Sequence, residues 1–101
     1  MANRPDLQTL FEELLGSPNV YYDPPESVKM HYDAIRYSRS KIVNTFANNS
    51  VYKQDDRYEV VVIYRDPDSD LPRKISRLPK CSHDRHYVAN NLHHDVFTLY
   101  N

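Results

Sequence analysis

The sequence predicts an α+β domain spanning residues 1–101, an antiparallel four-stranded sheet with two helices packed on one face, in the order α-β-β-α-β-β. Three observations predict it. An apolar stripe at helical spacing opens the chain, a shorter one recurs past its middle, and four stretches rich in Val, Ile, Tyr and Phe fill the rest. Two apolar helix faces and an apolar sheet must cover one another to leave water.

Leu7, Leu10, Phe11, Leu14 and Leu15 define the first helix, which Pro5 and Asp6 precede. Gly16 follows it and is the only glycine in the protein, so it reads as a helix stop needing positive φ. Residues 17–27 hold three prolines and read as an extended connector, with Tyr21 and Tyr22 exposed on it; Pro24-Pro25 rules out a helix there.

Met30, Tyr32, Ile35 and Tyr37 suggest a strand over 28–37. Residues 38–50 are polar, with Asn44, Asn48 and Asn49, and Ile42, Val43 and Phe46 as isolated apolar positions. They read as a long hairpin loop, either an arm reaching a neighbouring subunit or a disordered turn.

Residues 51–65 give the clearest strand. Tyr58, Val60, Val62 and Tyr64 point one way, Val61 and Ile63 the other, so both faces need cover. Helices supply one cover; the expectation is that another copy of the chain supplies the second.

Asp66, Asp68 and Asp70 lie in a turn before a second helix over 71–78, with Pro72 in its first turn and Pro79 ending it. Strands over 81–88 and 93–100 follow, joined by Ala89-Asn90-Asn91-Leu92, whose Asn residues tolerate positive φ.

The length fits one domain with a modest core. Nine Tyr stand against three Phe and no Trp; Tyr suits subunit interfaces and half-buried strand faces alike. A net charge of −1 carries none of the basic excess of a phosphate-gripping protein. Cys81 is the sole cysteine, so no internal disulfide is expected. Neither a signal-peptide pattern nor an apolar run of the ~18–20 residues that spans a bilayer is evident, so a soluble protein made in a reducing cytoplasm is expected.

The chemistry-bearing clusters are thin. Asp66, Asp68 and Asp70 open like a calcium loop, but Leu71 and Arg77 stand where that loop needs Gly and Glu. Strand alternation puts Cys81, His83 and Arg85 on one face and Asp84 and His86 on the other. Cys81 and His83 with His93 or His94 would offer zinc three ligands, though without paired cysteines. Asp84 and His86, two residues apart, stand too far apart for a dependable acid–base pair. Tyr21, Tyr22, Arg65, Asp66, Asp68, Asp84 and Arg85 are better read as interface residues, with Arg–carboxylate pairs fixing register between subunits. No catalytic residue, metal ligand or cofactor is assigned.

Two long segments, NVYYDPPESVKMHYDAIRYSRSKI and DRYEVVVIYRDPDSDLPRKISRLPKCSHDRHYVANNLHHDVFTLY, resemble the tail-terminator, tail-completion and tail-to-head joining proteins of long-tailed phages of Gram-positive bacteria. The most specific parts are Arg65-Asp66-Pro67-Asp68-Ser69, Cys81-Ser82, Asp84-Arg85-His86-Tyr87 and Val96-Phe97-Thr98-Leu99-Tyr100. Lys80 and His83 depart from the apolar or aromatic residues of that family. The resemblance implies a homo-oligomeric ring, commonly a hexamer, at the head-proximal end of the virion tail, assembled in the host cytoplasm. Its partners would be the tail tube protein and the head connector, with DNA passing through the lumen unbound and no membrane involved. The alternatives are a head-completion or connector adaptor, and a small metal-dependent hydrolase using the His-rich hairpin.

Overall fold

The computed structural model describes residues 4–25 and 27–101. The elements in chain order are α1 (Arg4–Leu15), β1 (Val20–Tyr22), β2 (Ala34–Ala47), β3 (Ser50–Tyr64), α2 (Leu71–Ser76), β4 (Cys81–Ala89) and β5 (Leu92–Tyr100). The α+β class holds, but the four-stranded antiparallel arrangement does not. The sheet has five strands in the order β1-β2-β3-β5-β4, and β1 runs parallel to β2. The connector supplies that extra strand: Val20, Tyr21 and Tyr22 pair with Ile35, Arg36 and Tyr37. Three residues flanked by prolines give too short an alternation to read as a strand.

Both helices lie on one face of the sheet. Leu7 and Phe11 of α1 and Leu71 and Ile75 of α2 pack with Ile35, Tyr37, Tyr58, Val60, Val62, Tyr64, Phe97 and Leu99. Gln8 fastens α1 to the sheet by donating to the Val20 carbonyl at 3.0 Å and accepting from the Tyr37 hydroxyl at 2.7 Å. Gly16 stops α1 at φ 72°, where its N–H and that of Ser17 donate to the Glu12 carbonyl. A left-handed residue costs glycine little, which is why it sits there. At α2, Asp70 is the residue before the first turn but makes no side-chain cap; Ser69 Oγ accepts from the Leu71 N–H instead.

The opposite face corrects a second expectation. Val61, Ile63 and Val96 are each no more than 2% exposed, and the cover comes from the chain itself: Met30, Tyr32 and Leu92 pack on them. Residues 28–33 are not a strand but a strap over this face, tied down where Asp33 Oδ1 accepts from the Arg65 N–H at 3.1 Å. A second copy is therefore not needed to roof the sheet.

The third correction concerns residues 38–50. They form no loop; they belong to β2 and β3, which stay paired to Ala47↔Ser50 and turn through Asn48 and Asn49, both at positive φ. Two consecutive left-handed residues make the turn that matches strand twist, and Asn enters that region more readily than most residues. Asn90 and Asn91 close the β4–β5 hairpin in the same conformation, as the sequence predicts.

Candidate functional site

The distal parts of β2 and β3 leave the sheet as a two-stranded arm. From Lys41↔Arg57 to Ala47↔Ser50 it spans about 20 Å at strand rise, and the molecule measures 51 × 27 × 23 Å. The arm starts at a bulge. Arg39 pairs with Tyr58 and Lys41 with Arg57, leaving Ser40 as the extra residue. Ser40 Oγ donates to the Arg57 carbonyl at 3.1 Å and accepts from Arg57 Nε at 3.1 Å, so the bend is held by side chains as well as by the ladder.

The arm exposes Ile42 near its root and, toward its end, Val51, Phe46 and Tyr52, the last two 63% and 75% exposed. Phe46 and Val51 face each other across the strands. An isolated two-stranded hairpin is marginal in water, and apolar side chains grouped at its tip make it a candidate contact surface.

At the root of the arm lies an apolar groove of about 320 Å³, lined by Leu7, Leu10, Leu78, Pro79, Leu99 and Tyr100, with Lys80 and Asn101 as its polar members. Its position is fixed by the last residues of the chain. Tyr100 pairs with Arg57, and Asp56 and Asn101 exchange backbone hydrogen bonds at 3.1 and 2.9 Å.

A second concentration of chemistry lies at the other end of β5. Asp95 is buried on the helix-bearing side of the sheet. Its Oδ2 accepts from the Tyr64 hydroxyl, and its Oδ1 lies 2.7 Å from His83 Nε2 and 3.1 Å from His86 Nδ1. An ionised carboxylate only accepts, so both histidine nitrogens carry their protons toward it. His93 Nδ1 lies 3.4 Å from His86 Nε2, and the two rings stack at 5.4 Å. Burial alone would push the Asp95 carboxyl up; the hydrogen bonds from Tyr64, His83 and His86 outweigh it and hold the group below its ordinary value. Burial first, then the bond to Asp95, raises the Tyr64 hydroxyl. A cleft of about 450 Å³ opens beside them, lined by Pro67, Ser69, Pro72, Arg73, Ser76 and Phe97 as well. Neither serine is aimed at a histidine: Ser76 Oγ donates to the Arg73 carbonyl, and Ser69 Oγ accepts from Leu71.

A bulge creates this cluster and overturns simple alternation. His83 pairs with Phe97, Arg85 with Val96 and His86 with Asp95, so Asp84 is the extra residue. His83 and His86 thereby share a face and Arg85 takes the other. Cys81, opposite Leu99, packs on the helix-side core, where burial pushes its thiol up to about 11. His94, opposite Ile63, stacks on Tyr87 at 4.6 Å on the far side. The sheet thus separates Cys81 and His83 from His94. Among the described residues no group of three His, Cys, Asp or Glu is arranged to hold a metal ion.

The other sequence-predicted residues scatter. Tyr21 is half-buried and its hydroxyl accepts from the His31 N–H at 3.1 Å. Tyr22 leans on Tyr37 at 5.0 Å. Arg65, Asp66 and Asp68 are exposed in the β3–α2 turn, where Asp66 Oδ1 accepts from the Asp68 N–H at 2.9 Å. Asp84 accepts from the Thr98 hydroxyl at 2.7 Å. Sequence reasoning missed Asp95, although a signal existed: it is the one acid in an apolar run, in phase with the core residues Phe97 and Leu99. Comparison with family models, curated proteins and solved structures finds no match to the chain.

Proposed function

We propose that this chain is a structural virion protein, one subunit of a ring that caps the tail tube of a long-tailed phage and offers the head connector a docking surface. The observation that carries the reading is the arm: an apolar tip on a hairpin about 20 Å long has no use for the isolated subunit and a direct one in a ring. The resemblance of residues 19–42 and 56–100 to tail-completion proteins, read from the sequence alone, points the same way. The near-zero net charge suits a conduit through which DNA must slide. The apolar faces of β3 do not enter the case, because the strap through Met30 and Tyr32 covers one of them.

The test is electron microscopy of particles made without the protein. Overlong or uneven tails are the expected result for a tube cap. Tails of normal length lying apart from filled heads would favour the adaptor role at the head connector. Normal, intact virions would end the proposal.

A further inference from the structure

The arm and the groove belong to one chain but cannot meet within it. The groove adjoins Arg57 and Asp56, where the arm begins, while Phe46, Val51 and Tyr52 lie toward the far end, about 20 Å along the strands. The bulge at Ser40, pinned to Arg57, sets the direction of exit and opposes folding back.

We propose that the arm tip of one copy docks in the groove of the next copy, with Phe46 and Tyr52 as anchors against Leu10, Leu78 and Tyr100. This rests on the ring reading above and names its contact. Three observations choose a second copy as the occupant. Every copy carries both halves, whereas a foreign partner would match one half and leave the other open to water. The tip is the most exposed apolar group of the described residues, and the groove is lined almost wholly by apolar side chains over a buried floor of Leu7 and Leu99. Finally, a tip-in-groove contact uses two different surfaces, and head-to-tail contacts of that kind close into rings when the rotation allows. The free edge of β4 competes poorly: the bulge at Asp84 and the exposed Asp84 and Arg85 discourage strand addition.

The contact is tested by complementation. Phe46→Asp removes the tip, and Tyr100→Asp, at a half-exposed position, removes the groove without entering the core; Leu10→Ser is the second groove variant if the first unfolds. Circular dichroism and melting establish that each variant is folded. Sedimentation and negative-stain microscopy are then run with and without tail tubes from the same virion. The wild-type chain is expected to form rings and each variant to remain monomeric. An equal mixture of tip and groove variants is expected to give a dimer of one of each and nothing larger, since only one intact tip and one intact groove remain. Rings formed by folded Phe46→Asp, or a mixture that stays monomeric, would overturn the contact while leaving the ring intact as a reading. A wild-type chain that forms no ring even on tubes would overturn both.

Discussion

His83 and His86, three residues apart on one strand, meet at a single atom, Oδ1 of Asp95, at 2.7 and 3.1 Å. Three residues along a regular strand would put them on opposite faces; the bulge at Asp84 brings them together. The arrangement ties β4 to β5 through side chains where β4 is the open edge of the sheet.

Asp95→Asn is expected to destabilise the fold by about 1–3 kcal/mol, because the amide nitrogen only donates and cannot replace a carboxylate oxygen that accepts from the buried Tyr64 or from His83 and His86. Urea unfolding followed by circular dichroism measures it. A change below about 0.5 kcal/mol, the range of ordinary surface substitutions, would contradict the account.

Acid should weaken the fold in two separate windows. Burial holds His94 below its ordinary value of 6.5; a depressed group contributes stability above its unfolded value and loses it as pH falls through the folded value, so the first loss begins below about 6.5. Asp95, depressed from 3.8 against the opposing effect of burial, follows the same sign and gives its loss in stronger acid. Melting temperature against pH should show both steps in the wild type, and His94→Gln should erase only the first.

Cys81 should react slowly. With burial raising its thiol to about 11 from 9.0, the thiolate fraction near neutral pH falls about a hundredfold, and alkylation slows with it. Iodoacetamide labelling of folded against urea-unfolded protein measures the ratio; equal rates would contradict the burial.

The two Asn-Asn turns should differ in consequence. Valine at a left-handed position costs about 1–2 kcal/mol. Asn91→Val should lower global stability by that amount, because its hairpin carries Val96, Phe97 and Leu99 of the core. Asn49→Val should leave the melt nearly unchanged and instead speed amide exchange in residues 41–56, since the arm buries little.

Those turns also show what was legible. Asn90-Asn91 stands between two stretches that read as strands and so reads as a turn; Asn48-Asn49 carries the same signal but stands among polar residues with no alternation, so the arm around it reads as loop. Helices announced themselves through Leu7, Leu10 and Phe11 and through Leu71 and Ile75, because periodicity is local. The strap was not legible: Met30 and Tyr32 alternate like a strand, and only the sheet geometry shows that they cover Val61 and Ile63. Parallel pairing of β1 and the bulge at Asp84 depend on partners distant in the chain and leave no pattern in their own residues. The interface residues expected from Arg65, Asp66, Asp68, Asp84 and Arg85 lie in two separate places, while the arm adds Ile42, Phe46, Val51 and Tyr52, of which only Ile42 and Phe46 stood out, as isolated apolar positions.

Self-assembly is the claim on which the functional reading stands, and mass decides it most directly. Native mass spectrometry of the intact chain, alone and released from tails, should give one closed species at a whole multiple of 12.0 kDa, collapsing to the single-chain mass when Phe46 is replaced by Asp. The single-chain mass from both preparations of the unaltered protein would contradict it.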